Sequence, residues 1–367
     1  MSIILFLVIL VALIVVHEFG HFLTAKAGGI RVDEFGIGFP PRLFGVRKGE
    51  TMYSVNALPL GGFVKIFGED PDTASISGPG STRSFVNKPK TLQAAVLVAG
   101  VAGNILLAWV LLTLGFVVGM PTSVDSMNNR PLENIRLVAS GVLPGSPAET
   151  VGIERGDTIV RLAAGTDTIE PRAPKDVSTF VAAHEGPIMV EVMRSKKIES
   201  LTVYAKKGVI AAEPETPAIG IALGEIGDLR LPFYLAPIEG AKATAHLLTA
   251  TAVGLYQFVG SALVGAGDLS QVTGPVGIVG LVGDASALGF MYLLSFTALI
   301  SINLAIINLL PFPSLDGGRL LFVIIEAIKG SAIRPAVANT LNTVGFVFLI
   351  LLMIFVTYHD IVKLATS

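Results

Sequence analysis

Four stretches of this chain, residues 2–25, 93–120, 285–315 and 336–358, are long and apolar, and the last three carry no Asp, Glu, Lys or Arg. A helix needs about 20 apolar residues to cross the hydrocarbon of a bilayer. In lipid only helices and closed barrels satisfy their own backbone, so these runs restrict the fold to spanning helices. The composition agrees: 52% of the 367 residues are hydrophobic and 15% charged, with a mean hydropathy of +0.71, which excludes an ordinary soluble enzyme. A net charge of −2 and the lack of a basic tract argue against a nucleic-acid partner. With no cysteine, any metal must be held by His and carboxylates.

The first stretch has no positive n-region and no small-x-small cleavage site, so it reads as a span and not a signal peptide. Lys26, Arg31, Arg42, Arg47, Lys48, Lys65, Arg83, Lys88 and Lys90 follow it, and the positive-inside rule puts that loop in the cytoplasm with the N-terminus outside. Residues from about 122 to 284 are then extracytoplasmic, and the third span returns inward to end near Asp316. Residues 247–267 are uncharged and about long enough to cross. Crossing there would reverse the next span and part Asp316 from His21, so a membrane-associated or amphipathic helix outside is expected.

Inside the first stretch lies His17-Glu18-Phe19-Gly20-His21. An ionised residue at mid-bilayer costs roughly 2.5–3.5 kcal/mol, so polar groups there mark a functional site by default. Positions four apart share a helix face, so His17 and His21 can both turn an imidazole nitrogen to one metal ion, with Glu18 beside them as general base. That is the HExxH arrangement of zinc metalloproteases. A catalytic zinc site needs a third protein ligand. Near candidates are Asp33 and Glu34, beyond Gly28 and Gly29; the distant one is Asp316, in Asn308-Leu309-Leu310-Pro311-Phe312-Pro313-Ser314-Leu315-Asp316-Gly317-Gly318. On the residues alone Asp316 reads equally as a metal ligand or as the cap of a following helix.

HEFGH in the first span, paired with NLLPFPSLDGG at the end of the third, resembles the site-2 protease family of intramembrane zinc metalloproteases, over nearly the whole chain. More closely, the chain resembles its bacterial regulated-intramembrane-proteolysis branch with an extracytoplasmic PDZ domain. The resemblance implies zinc held by His17, His21 and Asp316, Glu18 as catalytic base, and Asn308, Pro313 and Asn303 in substrate accommodation. The chain departs from the family at Ala99-Gly100-Val101-Ala102-Gly103-Asn104, where relatives commonly have a proline after the glycine. Asn104 is kept as a substrate-side candidate, with a small-residue packing face as the alternative. There is room for one PDZ domain where many relatives have two.

Residues 35–41 and 53–66 are rich in Phe, Val, Ile, Tyr and Gly and predict β-hairpins. A spanning substrate hides its carbonyls in helical hydrogen bonds, and an edge strand can exchange those for ladder bonds. The resemblance likewise implies a membrane-dipping β element. Further on, residues 141–148 and 152–160 read as strand, turn, short helix, turn, strand, followed by a second helix at 177–183 and closing strands at 188–193 and 201–205. This resembles a PDZ pattern, which serves either as a receptor for a peptide C-terminus or as a size filter.

The expected fold is therefore an α-helical multi-span membrane protein of about four transmembrane helices, with a membrane-associated β-hairpin element and an inserted α+β PDZ domain. The expected division is 1–121, two spans with the HExxH motif and β loop; 122–208, the PDZ domain; 209–284, membrane-associated linker helices; and 285–367, the last two spans with the third zinc ligand. The expected function is a zinc-dependent intramembrane endopeptidase of the bacterial cytoplasmic membrane. Its substrates would be single-span membrane proteins, such as an anti-sigma factor after a first cut, or remnant signal peptides. A non-catalytic PDZ-bearing scaffold is the rival and a metal transporter a weaker third. Glu18 argues against the scaffold, and the lack of further intramembrane carboxylates or histidines argues against the transporter.

Overall fold

The computed structural model of the protein describes residues 2–70, 72–124, 132–194, 197–210, 213–264 and 273–366. They divide into two compact units, one of residues 1–113, 237–284 and 294–367, the other of 114–236 and 285–293.

The first helix, α1 (Ser2–Ala27), leads into two long strands, β1 (Val32–Lys48) and β2 (Thr51–Ile66). Both strands bend, so the expected hairpin is four strand segments in the order 42–48, 51–56, 32–37 and 62–66; the two outer pairs are antiparallel, while 34–37 and 52–55 run in the same direction. Phe39, Leu43, Phe44, Val46, Val55 and Leu58 are exposed on it, an apolar surface suited to lipid. A short helix, α2 (Thr73–Ser77), precedes α3 (Lys90–Val118). Ala25, Ile30, Val32, Ile66, Phe85, Val96, Leu97 and Val323 form one buried cluster that ties α1, both strands and α3 to a later helix.

The second unit holds a seven-stranded sheet. Its strands are β3 (Met120–Ser123), β4 (Glu133–Val142), β5 (Thr158–Ala164), β6 (Asp167–Ile169), β7 (Pro187–Arg194), β8 (Lys197–Tyr204) and β9 (Ile221–Leu229), in the order β3-β9-β4-β5-β7-β8 with β6 on β5. Helix α4 (Pro147–Thr150) is N-capped by Ser146, whose hydroxyl accepts from the Glu149 amide. Helix α5 (Pro174–Ala183) buries Val177, Phe180 and Val181 on one face, and β7 alternates Ile188, Val190 and Val192 inward. The second helix and closing strands thus lie where the sequence pattern put them. The expected boundary at 208 does not hold, because β9 falls among residues expected to be linker helices and pairs with β4 and β3. Its alternation places Gly227 and Leu229 inside, a strand signal the helical reading passed over.

The remaining helices are α6 (Ala236–Leu263), α7 (Pro275–Leu288), α8 (Phe290–Leu309), α9 (Asp316–Lys329) and α10 (Pro335–Thr366). Among the described residues, four helices are long and apolar enough to cross a membrane: Ser2–Ala27, Lys90–Val118, Phe290–Leu309 and Pro335–Lys363. The third is shorter than expected, since Gly289, at φ 125°, separates α7 from α8. The stretch 247–267 falls in α6, which is not one of the four; its last three residues lie outside the described residues.

The turn from α8 to α9 sets up the site. Pro311 and Pro313 cannot continue α8, and Ser314 takes a left-handed φ of 80°. Asn342 of α10 holds it there, accepting from the Ser314 amide and, through its carbonyl, from the Ser314 hydroxyl. A Cβ at Gly317 would lie 2.3 Å from the Leu309 carbonyl oxygen, and one at Gly318 2.1 Å from that of Phe312. Only two glycines let the chain reverse this tightly behind Asp316.

Candidate metal centre

His17 and His21 stand one turn apart on α1, in a buried stripe with Ile9, Leu13 and Ala25. Both are less than a tenth exposed. Asp316 opens α9 and turns its carboxylate to them and not to its own helix, whose N-cap is Leu315 without a side-chain cap. His17 Nε2 lies 3.0 Å and His21 Nε2 3.2 Å from Asp316 Oδ2, and the two Nε2 atoms are 3.2 Å apart. Of the near candidates, Asp33 pairs with Arg31, and Glu34 with Arg42 and Ser54.

The other ring nitrogens are also engaged. His21 Nδ1 donates to the Val96 carbonyl at 2.8 Å, which leaves Nε2 with its lone pair directed at the centre. His17 Nδ1 lies 3.3 Å from the side-chain amide of Asn104, a residue with no exposed surface whose Oδ1 is buried without a partner. With the amide turned to present Oδ1, Asn104 accepts from His17 Nδ1–H and that orphan is satisfied. Ser301 of α8 donates to the Asn104 carbonyl at 2.8 Å, fixing this part of α3.

Two imidazole nitrogens and a carboxylate oxygen thus converge, each with a lone pair facing the others. A cation satisfies all three together. Spacings of 3.0–3.2 Å match the edge of a tetrahedron about 2 Å from centre to corner, the size of a zinc–nitrogen or zinc–oxygen shell. Gly100 completes the cradle: a Cβ there would stand 2.3 Å from His21 Nε2 and 2.8 Å from His17 Cε1.

A cavity of about 620 Å3 opens beside this group, lined by Glu18, His21 and Asp316, by Phe63 to Asp70, and by Arg31 and Arg319. Glu18 packs over Gly62 and reaches the backbone amide of Val64 in the edge segment 62–66. Arg319 pairs with Glu69 through Nη1 and with Asp70 through Nη2. Burial pushes the Glu69 carboxyl up, and the Arg319 guanidinium opposes that shift.

Comparison with known proteins gives the same reading from a different direction. The sequence profile of peptidase family M50 matches residues 5–352. The chain belongs to peptidase family M50, the site-2 protease family. Relatives from Clostridium perfringens (35% identical, 96% of both chains covered) and Clostridium acetobutylicum (33%, 95% of this chain and 94% of the relative) bear zinc metalloprotease names. So does RasP of Geobacillus kaustophilus, at 29% identity over 99% of this chain and 98% of its own. This M50 chain is therefore a multi-pass membrane protein and a metalloendopeptidase of site-2 protease type.

Among the residues singled out from sequence, the structure brings together His17, Glu18, His21, Asp316 and Asn104. Asn104 is sealed against His17 with no exposed surface. Asn303 and Asn308 are half-buried on α8, and among the described residues no hydrogen bond joins them to the His–Asp group. The Pro313 carbonyl is pressed against Gly345 of α10, 2.5 Å from where a Cβ would stand. Sequence reasoning missed the Val96 carbonyl, the Gly100 cradle and the pair of Arg319 with Glu69. Only Gly100 left a signal, in its small-residue run.

Proposed function

We propose that His17, His21 and Asp316 hold a zinc ion and that Glu18 is the general base of an intramembrane endopeptidase. The convergence of three lone pairs at 3.0–3.2 Å, beside a carboxylate in an open cavity, carries this reading. Bound zinc supplies an acidified water, with a pKa near 7, and polarises the scissile carbonyl. Glu18 accepts the water proton as the water attacks and returns it to the leaving amine nitrogen. The Val96 carbonyl and Asn104 fix the imidazoles in the tautomer that leaves Nε2 free; we assign Asn104 this positioning role in place of substrate contact.

Substrate presentation falls to segment 62–66. It pairs on one side with 32–37, and on the other it borders the cavity with Glu18 and His21. An unwound stretch of a spanning helix adds to this edge, trading helical hydrogen bonds for ladder bonds and bringing its carbonyls beside Glu18 and the residues that would hold the zinc. Asn303 and Asn308 of α8 and Pro313 of the turn precede Asp316 in the chain, and we assign them to substrate accommodation on the family resemblance. The substrates are single-span proteins of the bacterial cytoplasmic membrane, such as an anti-sigma factor after a first cut, or remnant signal peptides. The N-terminus lies outside, because the basic loop after α1 is cytoplasmic.

The sheet unit supports a PDZ reading. A groove of about 270 Å3 runs between Val177, Ser178 and Val181 of α5 and the chain at Ile219, Ile221 and Leu223. An apolar peptide C-terminus fits there by strand addition. A non-catalytic scaffold would need this groove but not Glu18.

The test is cleavage of a tagged single-span substrate by purified protein in detergent, native against Glu18→Gln at equal bound zinc. Loss of the general base lowers the rate about 10²–10⁴-fold. Equal cleavage by both removes Glu18 as the base.

A further inference from the structure

Two elements must meet in register for the proposed reaction: the edge segment 62–66, which presents substrate, and α9, which presents Asp316. The buried cluster joins them through Ile66 and Val323, but apolar contact is non-directional and tolerates sliding. A directional contact exists three residues beyond the strand. Arg319 bonds Glu69 with one terminal nitrogen and Asp70 with the other, and it stands one turn after Asp316 on the same face of α9. The base of the 67–70 loop is itself pinned. The Arg31 guanidinium stacks 3.5 Å over the Phe67 ring, the Phe67 amide donates to the Arg31 carbonyl, and the Phe67 carbonyl accepts from the Phe85 amide. Arg319 also lines the metal-side cavity, yet its terminal nitrogens are committed to the two carboxylates, which suits positioning and not contact with the reacting carbonyl.

We infer that the Arg319–Glu69–Asp70 clasp is a register pin: it locks the substrate-presenting edge strand to the helix bearing Asp316 and so selects which peptide bond is cut. The inference rests on the strand-addition reading above. A two-point guanidinium contact fixes direction as well as distance. Without it the edge can slide, and a slip of one residue in a strand turns every side chain to the other face. Glu69, Asp70 and Arg319 are positioning residues, since none touches the reacting atoms.

The experiment compares the native zinc-loaded protein with Glu69→Gln, Arg319→Met and the double variant Glu69→Gln/Arg319→Met on one single-span substrate. It reads rate, zinc per chain and the mass of each product. The expected result is native zinc content, a fall in rate on the order of 10–100-fold, and new cuts one or two residues from the native bond. The double variant should be no worse than the poorer single one. It is neutral at both positions, so it carries the test if a single variant leaves an unpaired charge and does not fold. A single native cut at native rate in all variants overturns the inference, and so does loss of zinc, which would make the clasp a support of the metal site. Val64→Pro separates this failure from that of the strand reading, because it removes the outward amide of an edge residue; Glu18 reaches the same amide, so KM is read beside kcat, a rise in KM reporting lost presentation and a fall in kcat alone a disturbed base. If Val64→Pro cleaves normally, strand addition itself is wrong. If Val64→Pro is dead with zinc bound while the clasp variants cut natively, only the register pin falls.

Discussion

Strand β7 of the sheet unit buries Ile188, Val190 and Val192 and leaves the polar and charged residues of its neighbour β8 largely outside. Helix α1 does the reverse. It exposes Ile3, Ile4 and Val8 and keeps His17 and His21 in its buried stripe. In water, burial is driven by removing apolar surface, so the inside of the sheet unit is its most hydrophobic part. In lipid that drive is absent between helices, and the inside is where polar groups find partners. The same residue therefore carries opposite information in the two units. Ile188 marks the core in one, and Ile3 and Ile4 the lipid face in the other.

The sharpest way to break this contrast is to put polar groups at matched positions. Val190→Asn should destabilise the sheet unit by about 3 kcal/mol, from lost burial and an amide without partners. Ile198→Gln, on a side chain 62% exposed, should stay within about 0.5 kcal/mol. Val8→Lys, 60% exposed on α1, should cost roughly 2.5–3.5 kcal/mol of insertion although it touches no core. Pulse proteolysis of the full chain and a membrane-integration assay read these effects. A neutral Val8→Lys would mean that this face of α1 is not in lipid.

Glycines sharpen the comparison next. Gly100→Ala places a methyl 2.3 Å from His21 Nε2, and zinc affinity should fall about 10–100-fold without loss of the spans. Gly186→Ala in the sheet unit, with nothing within 4 Å of the added carbon, should leave zinc and fold unchanged. Equilibrium zinc titration of both variants decides it, and equal affinities would show that α3 yields where the packing looks closed.

Legibility followed the same divide. In the sheet unit, period-two and helical patterns were enough to place α5, β7 and β8, because burial there follows hydrophobicity. They failed at β9, whose glycines dilute the alternation. In the spans, uniform apolarity located the helices but gave no face, and only the expensive residues, His17, Glu18, His21 and Asp316, showed where the inside lies. Asp316 could not be told from a helix cap by sequence alone, since both need a carboxylate beside a helix start. The two glycines after it, which let the chain reverse behind it, settle its direction. Backbone partners such as the Val96 carbonyl have no residue signature at all, and the clasp at Arg319 joins residues 250 positions apart.

Ion pairs give the smallest and most specific contrast. Each unit has a bidentate arginine pair. Arg194 holds Asp157, 2% exposed, and also donates to the Gly152 carbonyl. Arg83 holds Glu50 at the β1–β2 turn, with Lys26 as a second cation, where the carboxylate is about a third exposed. Arg194 keeps Glu154 and Glu199 when Asp157 is changed, but Asp157 is buried and also accepts from the Glu154 amide, so Asp157→Asn should cost more than Glu50→Gln. The Glu50 pair has its own pH signature. Arg83 and Lys26 hold that carboxyl down to about 2 from an ordinary 4.5. A carboxyl lowered in the fold contributes stability that is fully present above its unfolded value and is lost as pH falls through the folded one. The gap in melting temperature between the native chain and Glu50→Gln should therefore be largest at neutral pH, narrow from about 4.5 downward, and close near 2. A gap that stays constant across that window would show that the variant acts through packing of the turn and that the charge on Glu50 contributes nothing.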